Sequence, residues 1–85
     1  MFMNIGYKQY ANVGKIALIA SFDSLPVKRD IQNARQKGTL VDATKGKRTL
    51  SVIYTGEYII LSAVMPERLS KRTERMRAGG NSNNS

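Results

Sequence analysis

Two β-prone runs separated by three residues constrain this chain more than any other feature. Arg48 to Tyr54 and Tyr58 to Val64 flank Thr55-Gly56-Glu57, a turn with a central glycine, and runs so placed pair as an antiparallel hairpin. A lone hairpin is at best marginally stable in water, so the rest of the chain must cover it. Ser24 to Lys37 predicts a helix. Pro26 is tolerated in its first turn, Gly38 stands just past its end, and Val27, Ile31 and Ala34 share one apolar face. Lys15 to Phe22 is too apolar for strict alternation and reads as a central strand covered on both faces.

Shorter elements fill the gaps. Met3-Asn4-Ile5 reads as an edge strand followed by a turn at Gly6 that Tyr7 and Tyr10 cover. Thr39 to Asp42 is a short strand leading into a loop over residues 43–47, after which Arg48 opens the first hairpin strand. Pro66 opens a second helix with a sparse stripe of Leu69, Arg72 and Met76 and a strongly basic polar surface. Residues 78–85, rich in Gly, Asn and Ser, have nothing to bury and are expected to form a disordered tail. The resulting class is α+β: one domain over residues 1–77, with a small, mostly antiparallel sheet, one main helix over residues 24–37 and a C-terminal helix. With 85 residues in all, the core is thin, and self-association is a ready way to bury more surface.

Composition removes several functional classes. The absence of cysteine excludes disulfides and thiolate metal sites, and it fits a reducing, cytoplasmic setting. The absence of histidine removes the commonest general base and metal ligand. Asp23, Asp30, Asp42, Glu57, Glu67 and Glu74 are scattered, so no spacing pairs two carboxylates for acid–base work. Hence neither an enzyme nor any metal, cofactor or small-molecule substrate is expected. The apolar run from Ile16 to Ala20 is far shorter than the roughly 20 residues that span a bilayer, so no membrane span is expected. Fourteen Lys and Arg against six Asp and Glu leave a formal charge of +8, which points to an anionic polymer, nucleic acid ahead of lipid.

The positive charge has a focus. Lys45, Lys47 and Arg48 lie within two residues of Gly46 at the mouth of the hairpin, and a glycine turn with cations and exposed amides makes a phosphate site. A P-loop is excluded, because Val41 stands where its first glycine belongs and Arg48 where Ser or Thr must follow the lysine. The plainer alternative is a solvated charged turn. Lys15, just after Gly14, is a second exposed cation. Lys28 and Arg29 occupy a helix turn where the macrodipole disfavours cations, and Arg35 lies farther along the same helix. These three are secondary candidates, with salt bridges to Asp30 and to neighbouring subunits as the bland alternative. Asp42 is best explained as bonding turn amides or anchoring Arg48. Tyr54 and Tyr58 cover the hairpin end, so stacking on single-stranded RNA is not preferred.

An ordered set of residues carries a resemblance. Pro26-Val27-Lys28-Arg29, Ile31-Gln32, Ala34-Arg35, Gly38, Leu40-Val41-Asp42-Ala43-Thr44, Gly46-Lys47-Arg48-Thr49, and Ile60-Leu61-Ser62-Ala63-Val64 before Pro66-Glu67 together resemble the RemA-like family of bacterial extracellular matrix regulatory proteins. The likeness extends from Asn4 to about Arg72. It implies a fold similar to the LytTR DNA-binding domain, a ring-shaped homo-oligomer, and double-stranded DNA wrapped on the ring's basic surface to regulate biofilm matrix genes. It therefore also implies a nucleoid-associated location. The family's DNA-binding positions fall on Lys47, Arg48 and Lys15, and Lys45 adjoins them. Lysine replaces the family's usual arginine at 47 and 15, which keeps phosphate attraction but removes the planar fork used for bidentate base readout. The competing expectation is a structural oligomer or adaptor that binds an acidic protein without DNA.

Overall fold

The computed structural model describes residues 1–82, and the side chains of residues 1–78. The order is β1 (Phe2–Gly6), β2 (Gln9–Asn12), a single 3-10 turn (Val13–Lys15), β3 (Ile16–Ser21), α1 (Leu25–Lys37), β4 (Leu40–Asp42), β5 (Ser51–Thr55), β6 (Ile59–Ser62) and α2 (Pro66–Ser82). β1 and β2 form a separate antiparallel hairpin. The other four strands form one sheet in the order β3-β5-β6-β4, antiparallel except for β4 alongside β6. The α+β class holds, with two sheets where the sequence suggested one.

The expected hairpin is β5–β6, with Val52 opposite Leu61 and Ile53 opposite Ile60. Its turn closes through the Thr55 amide to the Tyr58 carbonyl at 2.9 Å, and the Thr55 hydroxyl accepts from the Tyr58 amide at 2.9 Å. β5 starts at Ser51 rather than Arg48, because residues 43–48 are taken up by the preceding loop. The alternation of β5 feeds two cores. Val52 joins Val27, Ile31 and Leu61 under α1, and Ile53 joins Met3, Ile5, Ala11, Val13, Ile16 and Leu69 on the other face. The sheet is thus the middle of three layers, with α1 on one side and the β1–β2 hairpin with α2 on the other.

This layering corrects the place of β3. It is an edge strand, and Leu18 is 55% exposed, so the strands covered on both faces are β5 and β6. An extra residue between Ile16 and Leu18 opposite Thr55 and Tyr54 explains the pattern. It shifts the register so that Ile16 and Ile19 both face the larger core, which breaks the strict alternation without a second covering layer.

α1 is as the sequence predicts. Val27, Ile31 and Ala34 are its buried residues, and Gly38 ends it at φ 76°, its amide donating to the Ala34 and Arg35 carbonyls. The β1–β2 hairpin is longer than expected and turns through Tyr7 and Lys8, both at positive φ. Gly6 precedes them at φ 120°, and a Cβ there would stand 3.3 Å from Val64. In α2, Leu69 is fully buried, and Thr73, absent from the expected stripe, is buried beside Met3. The backbone is helical through Ser82, so the boundary drawn at residue 78 does not coincide with the end of α2. Residues 83–85 of the expected tail lie outside the described part.

Ser62 joins the layers. Its hydroxyl, fully buried, donates to the Ile5 carbonyl at 2.7 Å and accepts from the Val64 amide at 3.1 Å. Ser51, its cross-strand partner, donates to the Val64 carbonyl. Ser62→Ala leaves the buried Ile5 carbonyl and the part-buried Val64 amide without this partner and is expected to cost about 1–3 kcal/mol in urea unfolding. Exposed Ser70→Ala should stay within about 0.5 kcal/mol. Equal effects would show that the Ser62 hydroxyl does not tie the hairpin to the sheet.

Candidate functional site

The basic loop is held by its own short side chains. Asp42 accepts from the Thr44 amide at 2.9 Å and from the Thr44 hydroxyl at 2.6 Å, an Asx-type turn at the end of β4. Thr44 is buried and its carbonyl accepts from the Lys47 amide at 3.1 Å, closing a turn with Lys45 at φ 55° and Gly46 at φ 79°. Two central residues at positive φ match a type I′ turn, which glycine enters without steric cost and lysine only with some strain. Ala43, also buried, donates to the Leu61 carbonyl at 2.9 Å and accepts from the Gln9 side chain at 2.8 Å. The loop backbone is therefore anchored to β6 and to the N-terminal hairpin, while Lys45, Lys47 and Arg48 are exposed.

This geometry alters how the loop can meet an anion. The Thr44 and Lys47 amides are already bonded within the turn, so the loop offers charged side chains rather than a cradle made from those amides. Asp42 makes the turn hydrogen bonds expected of it, but the cation acting on its carboxylate is Arg35, not Arg48. The Thr44 hydroxyl, the Thr44 amide and the Arg35 charge hold its pKa below the ordinary 3.8, against the opposing effect of burial.

The other candidates divide into two groups. Lys28, Arg35 and Lys47, from the two ends of α1 and from the loop, line one cleft of about 450 Å³. Phe22 and Gln32 line it as well, neither singled out by the sequence, and Lys28 Nζ lies over the Phe22 ring at 5.4 Å from its centre. Arg29 is exposed on α1 and is not among the cleft residues. Asp30, the partner suggested for these cations, accepts instead from the Tyr54 hydroxyl at 2.6 Å, and burial together with Asp30 pushes that phenol up to about 12.

Lys15 stands apart. It ends the 3-10 turn, where the Asn12 side chain accepts from the Gly14 amide at 3.0 Å, and Ile16 after it pairs with Thr55. The loop enters β5 at the opposite end, next to Ser51. Four residue steps at roughly 3.3 Å each put the two ends about 13 Å apart along the strand. Around Lys15 lie Tyr58 and the Thr55–Glu57 turn. Within the chain, Lys15 therefore lies at the other end of β5 from Lys47 and Arg48, the two positions that the family resemblance groups with it. Among the described residues, no group of three or more acidic side chains could hold a metal, and no helix is long and apolar enough to cross a membrane.

Residues 2–73 match the family described as RemA-like, extracellular matrix regulatory protein A-like. The chain is 51% identical over 72 residues to a Geobacillus thermodenitrificans protein named "Putative regulatory protein", with 84% of this chain and 83% of the relative covered. A Coprothermobacter proteolyticus protein of similar name is 50% identical over 74 residues, covering 86% and 70%. One from Alkaliphilus oremlandii is 48% identical over 71 residues, covering 82% and 76%. The matched span includes both basic groups and ends within α2.

Because the folded pKa of Asp42 lies below its unfolded value, its contribution to loop order is present above pH 3.8 and is lost as pH falls through the folded value. Thr44→Val removes the hydroxyl, so the Asp42 carboxyl midpoint followed by NMR should rise towards 3.8. Exchange of the Lys47 amide should quicken in the same variant. An unchanged midpoint would mean that Thr44 does not set the Asp42 charge.

Proposed function

The chain belongs to the RemA-like family, and on that premise we propose that it is a non-enzymatic, DNA-binding transcriptional regulator of extracellular matrix genes. It acts as a ring-shaped homo-oligomer whose basic surface bends or wraps double-stranded DNA. The observation that carries this reading is the anchored loop with its exposed Lys45, Lys47 and Arg48. A cation on a fixed backbone loses less freedom when it meets a phosphate than one on a mobile segment. The net charge of +8 supports the same partner.

Repetition of the subunit is what makes these few cations sufficient. The sheet has two open edges, β3 and β4, on opposite sides, with Leu18 55% and Val41 42% exposed on them. Different surfaces at the two ends suit a heterologous, head-to-tail contact, which closes into a ring when the rotation between subunits allows. Lys15 and the loop, at opposite ends of β5, engage different phosphates. Lys28, Arg29 and Arg35 are secondary contacts. Successive subunits then bind one duplex by avidity and counterion release, and sequence preference comes mainly from DNA deformability.

Arg48→Glu tests this directly. Native mass should be unchanged, while retention of long duplex DNA in a gel shift falls by at least about tenfold. For the unsubstituted protein, log affinity should fall steeply with log salt, by roughly 0.9 per phosphate contact. Unchanged retention in the variant, or affinity indifferent to salt, would favour an oligomeric adaptor for an acidic protein.

A further inference from the structure

The cleft between α1 and the basic loop has features that contact with a duplex backbone does not require. It is concave, and at about 450 Å³ it lies within the roughly 300–1,000 Å³ typical of small-molecule sites. Its lining is of two kinds. Half-buried Phe22 supplies the accessible apolar surface, and Ile31 and Leu61, buried in the core beneath α1, form the floor behind it. Lys28, Arg35 and Lys47 supply three positive charges from three separate places in the chain, against the single negative charge of Asp42. The cations that protrude beside it, Lys45 and Arg48, do not line it. A duplex phosphate is met by protruding cations of that kind and has no use for an apolar recess. A compact molecule with a charged end and an apolar body uses both.

We propose that this cleft binds a small organic phosphate of the nucleoside diphosphate class, with the phosphates between Lys28, Arg35 and Lys47 and the apolar part of the ligand against Phe22, over the floor formed by Ile31 and Leu61. Lys28 and Arg35 stand seven residues apart on α1, about 10 Å along its axis, a span that two linked phosphates bridge more readily than a single one. Gln32, at the rim, supplies an amide able to donate to and accept from a base edge. No bond is made or broken: the ligand is an effector, in keeping with the missing P-loop residues. The regulatory consequence rests on the DNA-binding reading. Lys47 belongs to both surfaces, so an occupied cleft withdraws it from DNA and places negative charge beside Lys45 and Arg48.

The binding claim is tested without DNA. The full chain is titrated with ADP, with inorganic pyrophosphate and with adenosine, at constant ionic strength, by calorimetry and by NMR of the Gln32, Gly46 and Lys47 amides. ADP is expected to bind at about 1 mM or tighter and to shift those amides, with pyrophosphate weaker and adenosine weaker still. The double variant Lys28→Ala, Arg35→Ala, both exposed positions, should weaken ADP by at least about tenfold, and Arg75→Ala on α2 should not. No ADP binding, equal weakening by Arg75→Ala, or pyrophosphate binding as tightly as ADP would each overturn the assignment. In a separate arm, ADP should lower the affinity of the unsubstituted protein for duplex DNA at fixed ionic strength. The double variant, whatever its own DNA affinity, should lose that response. A protein that binds ADP but retains no DNA at all refutes the DNA-binding reading and leaves the cleft assignment standing. DNA binding that ignores bound ADP refutes the competition.

Discussion

Burial of β5 on both faces is the constraint from which the rest of the structure follows. Val52 and Ile53 are fully buried and point to opposite sides of the sheet, each worth about 1.5–3 kcal/mol of apolar transfer. A strand like this must be covered twice. α1 covers the Val52 side with Val27 and Ile31, and the β1–β2 hairpin with α2 covers the Ile53 side with Met3, Ile5 and Leu69. Among the described residues no further strand pairs with the lateral edges of this sheet, β3 and β4.

Polar groups make the layers specific. Ser51 and Ser62, opposite each other in β5 and β6, send their hydroxyls to the Val64 and Ile5 carbonyls, so the N-terminal hairpin and the β6–α2 connection are fixed to the sheet by hydrogen bonds as well as by packing. Tyr54 bonds Asp30 across the other interface and fixes α1. The basic loop is part of the same framework. It is stapled by Ala43 to β6, by the Gln9 side chain to the hairpin, and by the Asp42–Thr44 turn to itself. Sequence adjacency keeps Lys45, Lys47 and Arg48 close together, and the anchored backbone fixes where they stand at the mouth of the hairpin.

The elements with strong local signals were legible. The Thr55-Gly56-Glu57 turn, Pro26 and Gly38 around α1, and the Asp42-to-loop junction each carry their conformation in residue type. What escaped had none. The β1–β2 turn uses Tyr7 and Lys8 at positive φ, a conformation their side chains disfavour, so no Asn-Gly or Asp-Gly pair marks it. The hydrophobicity of β3 resembles that of a central strand because a register shift, which leaves no local mark, lets an edge strand turn Ile16 and Ile19 to one face. In the candidate site, the loop cations could be found from charge density. The closeness of Lys47 to Lys28 and Arg35 could not, since nothing local records how α1 lies against residues 43–49.

By itself, then, the sequence determined the elements with local codes, the lack of thiol and imidazole chemistry, the strong positive charge and its concentration around Gly46. The ordered residue pattern determined the family. Tertiary structure alone decided that Lys15 and the loop sit at opposite ends of β5, that the Thr44 and Lys47 amides are already bonded, and that an apolar, cationic cleft opens beneath α1. The physical reason is the range of the interactions involved. Turns, caps and charge runs are set by neighbours a few residues apart, whereas strand order, register and the packing of α1 on the sheet minimise exposed apolar surface over the whole chain at once.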